Sequence, residues 1–136
     1  MLSIQPVKQI TFGEGHGNCW AACLASLLHM DVEMVPNFCG DFAPDWFEKT
    51  QEWLRERGLY CVEISLCQEH QFVIPLPPVH VIITGKSPRG DFNHCIVGRV
   101  DGGEIVNAHD PHPDGTFLDG EPKWIAFLAA LETPAW

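Results

Sequence analysis

Positive charge is scarce in this chain. Its 136 residues carry 8 Lys and Arg against 18 Asp and Glu, a formal net charge of -10. A phosphate backbone is bound by clustered cations, and no cluster is present, so a nucleic-acid partner is not expected. Long apolar runs are also missing: nothing approaches the ~18 consecutive apolar residues of a membrane span, which argues against a membrane partner. The opening stretch, MLSIQPVKQITFGEG, lacks the apolar centre of a secretory leader, so a cytoplasmic site of action is the expectation. There is no internal repeat and no low-complexity tract. The zinc spacings C-x-x-C and H-E-x-x-H are absent as well.

What is present fits one globular unit. The chain is 46% hydrophobic and long enough to bury a core without staples, so a single domain over residues 1–136 is expected. Its six cysteines make an even number, but without a leader they are read as free thiols rather than a disulfide framework. Cys61, Cys67 and Cys95 lie in or beside apolar runs, where a thiol behaves as a small hydrophobe. The acid excess is read first as a solvated surface that aids solubility, with basic partners or peptides as the lesser reading.

Along the chain, SIQPVKQITF suggests a short strand confined to a sheet edge by Pro6. Asn18 is a good helix cap. Trp20, Cys23, Leu24, Leu27 and Leu28 then recur at the spacing of one helical face. A second helix is expected from Asp45, with Trp46, Phe47, Trp53 and Leu54 on its apolar side and Gly58 as its stop. LYCVEISL and VHVIIT read as strands, PLPP as a breaker and GKSPRGDFN as a loop. HCIVGRV and EIVNAHD around Asp101-Gly102-Gly103 form a hairpin signal. Residues 124–131 are expected to close the chain as a short helix. Helices first and a mostly antiparallel sheet after them make the class α+β.

Two thiols, Cys19 and Cys23, sit one helical turn apart. Cys23 belongs to the apolar face, whereas Cys19 follows the cap, where unpaired N–H groups and the helix dipole favour an anion. Gly15 and Gly17 before it permit a tight entry turn. A thiolate nucleophile also requires a histidine and a group to orient that histidine. His94 opens a strand after a Gly-rich loop. The hairpin returns Asn107, His109 and Asp110 at the end of the partner strand, with His94 facing roughly His109 or Asp110. Asp110 is preferred as the orienting group because a carboxylate stabilises imidazolium, and Asn107 is the alternative. The Cys19 N–H and the side chain of Gln9, or less favourably Gln5, are the candidate oxyanion donors. Trp20 and Arg89 are candidate substrate contacts. The competing zinc set of His94, Cys95, His109 and His112 has its H-x-x-H pair in a loop across a proline, so neither a metal nor another cofactor is expected.

GNCW at 17–20 is similar to the G-[SA]-C-[WY] stretch of the papain-like cysteine peptidase superfamily. HCIVG followed by IVNAHDP most resembles the small bacterial C39-like peptidases. In those a histidine opens one strand, an Asp-Pro closes the next and an upstream glutamine serves the oxyanion hole, here matched by Gln9. The likeness extends in order over residues 9–113 and in motif over about twenty positions. His16 stands where papain-type enzymes have a first cysteine, and the distance from Cys19 to His94 is about half the papain spacing. The resemblance implies a papain-like core and hydrolysis of peptide or isopeptide bonds in a peptide or protein substrate. Transglutaminase-like or amidase acyl transfer and a non-catalytic binding module are the alternatives on the same fold.

Overall fold

The computed structural model describes residues 3–66 and 77–132. The architecture is α+β, with three α-helices and a five-stranded antiparallel sheet. Helices α1 (Cys19–Leu28), α2 (Phe38–Asp41) and α3 (Trp46–Arg55) come first, with a 3-10 turn at Val32–Met34. The strands follow as β1 (Leu59–Ser65), β2 (His80–Lys86), β3 (Asn93–Asp101), β4 (Glu104–His109) and β5 (Trp124–Ala130), in sheet order β1-β5-β2-β3-β4. No helix among the described residues is long and apolar enough to cross a membrane. Cys67 and the first half of the PLPP breaker lie outside the described residues.

Helix α1 contains no glycine, proline or β-branched residue, which suits a helix interior. The expectation of one apolar face understates it: every residue from Trp20 to Ser26 is buried. Ala21, Ala22 and Ala25 are small enough to let neighbours close over the sides that a larger residue would push away. The helix stops at His29, whose backbone is left-handed at φ 57. α3 begins after Asp45 as expected, buries Thr50 and Leu54, and leaves its last turn at Gly58 with φ 73.

Two apolar clusters occupy the two faces of the sheet. One joins α1, α2 and α3 to Cys61, Ile82, Cys95, Val97 and Ala126. The other is built on Val81, Ile83, Ile96, Val100 and Ile125, with Phe117 and Leu118 packed against it. Side chains alternate between faces along each strand, so β2, β3 and β5 feed both clusters.

The expected closing helix at 124–131 is instead β5. It lies between β1 and β2, pairing Ile64 and Ile83 with Ile125 from either side. A short apolar run such as WIAFLAA satisfies helix and strand equally; the open edge between β1 and β2 decides for strand. The N-terminal segment also departs from expectation, because it joins no ladder. Gln5 N–H donates to the Ser26 carbonyl, Val7 N–H to Ser26 Oγ and Gln9 N–H to the Pro111 carbonyl. It is a strap from α1 to the end of β4, and Pro6, with no N–H to offer, suits a path outside the ladder.

The β3–β4 hairpin turns through Gly102 and Gly103 as expected, but its register slips. Gly98 faces Asn107 and Val97 faces His109, leaving Ala108 as an extra residue on β4. His94 therefore does not face His109 or Asp110 across the ladder; its pairing partner is Gly85 of β2. Gly98 is required at the bulge, since a Cβ there would lie 2.0 Å from Ile83 Cδ1 and 3.1 Å from the Val106 carbonyl oxygen. Gly98→Ala is expected to cost about 1–3 kcal/mol from overpacking. In urea unfolding, adding Ile83→Val should lessen the defect below the sum of the single changes.

Candidate active site

Three elements bring Cys19, His94 and Asp110 together. Cys19 is the first residue of α1, His94 the second of β3, and Asp110 the residue after β4. His94 Nε2 hydrogen-bonds Asp110 Oδ1 at 2.7 Å, with the two side chains only 3% and 1% exposed. This leaves Nδ1 free for the Cys19 thiol, which lines the same cleft and whose charge raises the imidazole. Asp110 is held from further sides. His112 N–H donates to Oδ1 at 3.0 Å and Phe117 N–H to Oδ2 at 2.8 Å. Phe117 delivers its N–H from a left-handed backbone, φ 61, a conformation uncommon outside glycine, asparagine and aspartate. Asn107 is exposed on β4 opposite Gly98 and does not approach His94; the carboxylate of Asp110 orients the imidazole.

The entry to α1 differs from the expected cap. Asn18 occupies the cap position but its side chain makes no cap bond. Its Oδ1 accepts from Ile10 N–H and Thr11 N–H at 2.9 and 3.1 Å. The helix tip is thus free of a competing side-chain oxygen, and the loop before it is cinched. Gly13 accepts from Gly17 N–H at 2.9 Å, closing the same loop. This compaction brings Gln9, ten residues upstream in sequence, to the wall of the cleft that holds Cys19. Gln9 is buried, and its Nε2 donates to the Thr11 carbonyl at 2.9 Å. That carbonyl fixes the amide so that nitrogen faces it, and a second Nε2 proton stays uncommitted. Gly17 is closely packed here: a Cβ would sit 3.2 Å from the Gly13 oxygen and 3.7 Å from Gln9 Nε2.

The five described cysteines are all free, and their electrostatics diverge. Cys19 is held well below the usual thiol value. The leading cause is a hydrogen bond from the Cys95 thiol; burial opposes it, and the hydrogen bond and charge of His94 and the Cys95 N–H act with it. That N–H donates to Cys19 Sγ at 3.4 Å. For His94, burial pushes the imidazole down, but the hydrogen bonds and charges of Cys19 and Asp110 more than offset it and the value is raised. Burial, followed by the nearby Cys19 charge, raises Cys23 well above the ordinary range and Cys39 to about 12. Burial likewise lifts Cys61 to about 12. Cys95 is raised well above the ordinary range, first by donating to Cys19. Its Sγ also meets Thr84 Oγ1 at 3.4 Å. Its role was not evident in the sequence, where the apolar run suggested only packing.

The cleft has a volume of about 380 Å³. Trp20 walls it while remaining core: Nε1 donates to Thr50 Oγ1 at 3.2 Å and the ring meets Trp46 edge to face. Arg89 also lines it, but Nη1 is engaged by both carboxylate oxygens of Asp114 at 3.0 Å. Gln5, the lesser oxyanion candidate, is exposed on the strap against α1. The residues weighed for zinc have other partners, with His109 Nε2 on the Val7 carbonyl and His112 Nδ1 accepting from Asp114 N–H. No group of three or more His, Cys, Asp or Glu among the described residues is arranged to hold a metal ion.

Compared with protein-family models, curated proteins and solved structures, the chain matches none.

The opposite shifts of Cys19 and His94 define a pH window. The thiolate is kept from alkaline pH down through the lowered Cys19 value, and the imidazolium from acid up through the raised His94 value. Iodoacetamide should therefore alkylate Cys19 with an acid limb well below the ~8.5 of a free thiol, ahead of the other thiols. His94→Ala should move that limb upward, as read by peptide mass mapping across pH. Cys95→Ala should move it in the same direction, whereas Cys95→Ser, which keeps a donor, should restore part of the shift.

Proposed function

We propose that the chain is a thiol-dependent hydrolase of peptide or isopeptide bonds, with Cys19, His94 and Asp110 as its triad. The observation that carries this reading is the buried 2.7 Å His94–Asp110 pair set beside Cys19, alone among the described cysteines in being shifted downward, at an uncapped helix tip. The same order on helix, strand and strand end supports a papain-like core of the small bacterial C39-like kind. Free thiols fit a reducing compartment, the cytoplasm.

In this mechanism Cys19 Sγ attacks the substrate carbonyl carbon. The developing oxyanion accepts hydrogen bonds from the Cys19 N–H and Gln9 Nε2. His94 Nδ1 passes its proton to the leaving nitrogen, the C–N bond breaks, and a thioester to Cys19 remains. Water then gives a proton to Nδ1 as its oxygen attacks the thioester. The C–S bond breaks, the acid departs and the thiolate–imidazolium pair is restored. Asp110 holds the ring in the tautomer that keeps Nδ1 toward the thiol and stabilises its positive charge.

The test is turnover of a peptide mixture followed by mass spectrometry of the products and of the protein. New peptide termini and a thioester mass on Cys19 are expected, with no turnover in Cys19→Ala. An amine-ligated product in place of new acid termini would move the assignment to acyl transfer. Failure of the wild type to form any acyl adduct, with Cys19 alkylated no faster than the other thiols, would overturn the proposal in favour of a binding module. Gln9→Ala should lower kcat by ~10²–10³-fold, the loss typical of one oxyanion donor, while leaving the iodoacetamide pH profile in place.

A further inference from the structure

The cleft continues beyond Cys19 across the sheet. Its floor runs from Cys95 of β3 to Thr84 of β2, Trp124 of β5 and Glu63 of β1. Register explains the alignment. Thr84 pairs with both Cys95 and Trp124, and Glu63 pairs with Ala126, two residues along β5 from Trp124. Cys61 and Ala126 belong to the cluster under the helices, so the alternation of β1 and β5 puts Glu63 and Trp124 on that same face. Trp20 and Trp46 stand on the helix side, their ring centroids 5.2 Å apart.

This extension has aromatic walls and unbalanced negative charge. Glu63 and Glu14 both line the cleft, and among the described residues neither forms an ion pair. Among the described residues, Arg89 supplies the lining's one Lys or Arg charge and is taken up by Asp114. The His94 charge is faced by Cys19 and Asp110. Glu63 is exposed to solvent on β1, and the partial burial it does have raises its carboxyl above the ordinary range.

We propose that the cleft between Trp46, Trp124 and Glu63 is a subsite for a lysine or arginine side chain of the peptide substrate. This rests on the assignment of Cys19 as nucleophile. The aliphatic stem lies along the two indoles and the cation reaches Glu63, combining aromatic and ionic recognition. Three strand spacings of ~4.8 Å separate β3 from β1, about 14 Å. A long cationic side chain within two residues of the scissile bond spans that distance together with the reach of Glu63 itself. Shorter side chains leave the carboxylate unpartnered, and acidic ones meet repulsion.

The test uses three peptidyl chloromethyl ketones that differ only in carrying lysine, leucine or glutamate within those two residues. Second-order rates of Cys19 labelling are read by mass spectrometry, with iodoacetamide as the side-chain-free reference. The lysine probe should react roughly tenfold faster than the leucine probe, and the glutamate probe slowest. Glu63→Gln should reduce the lysine advantage to within about threefold and leave the iodoacetamide rate unchanged. Glu104→Gln, an acid on β4 outside the cleft lining, should keep it, which separates a local subsite from the protein's net charge. The lysine advantage should also shrink with added salt in the wild type. Fast iodoacetamide labelling with equal rates for the three probes, or a lysine advantage that survives Glu63→Gln, overturns the subsite and spares the nucleophile. Slow iodoacetamide labelling together with no probe adduct at Cys19 overturns both.

Discussion

A carboxylate placed out of water sets the terms for this fold. Asp110 is almost wholly enclosed, and an unpaired charge there would cost several kcal/mol. Its two oxygens are answered by the His94 ring and the N–H groups of His112 and Phe117, while Lys8 reaches its main-chain carbonyl. The loop after β4 is shaped to supply those donors, even at the expense of a left-handed phenylalanine. Once Asp110 is fixed, the His94 ring is fixed, and only Nδ1 remains to meet the helix tip. Asp110 thereby acts on the thiol without approaching it.

The thiols show how position outweighs residue type. Cys19 and Cys23 share one helix and Cys95 touches Cys19, yet only Cys19 among the described cysteines is shifted downward. The Cys95 N–H donates to its sulfur, and the Cys95 thiol and His94 act with it to favour the anion. The donors are themselves stabilised in their protonated forms, so the negative charge is concentrated on one atom rather than shared. Asn18 contributes by turning its side chain back to residues 10 and 11 and leaving the helix end unblocked.

Much of this was legible in the residue pattern. The α1 and α3 helices, the central strands and the hairpin turn at Gly102-Gly103 follow from periodicity and turn chemistry, and the grouping of Cys19, His94 and Asp110 follows from their order. The extra residue at Ala108 was not legible, because a bulge depends on Ile83 needing the space at Gly98, a contact between strands. β5 is illegible for a related reason: its apolar run is ambiguous until the gap between β1 and β2 exists to receive it. The strap reads as a strand because its acceptors, Ser26 and Pro111, are far away in sequence. Cys95 gave no signal because a donor to a neighbouring sulfur looks identical to a packed thiol. The family likeness rests on motif and order alone, and the α+β architecture is what the fold itself supplies.

The strap from Gln5 to Gln9 gives the molecule an unusual mechanical property. One end is tied to α1 through Ser26 and the other to the loop after β4 through Pro111. It is a cross-brace between the helical layer and the sheet layer, and Gln9 sits at its sheet end beside the cleft. Gln9 is itself held from both layers, by its N–H on the Pro111 carbonyl and, through Thr11, by Asn18 at the start of α1. A shear between the layers would therefore load the strap at Gln9, whereas the His94–Asp110 pair lies within the sheet and its loops.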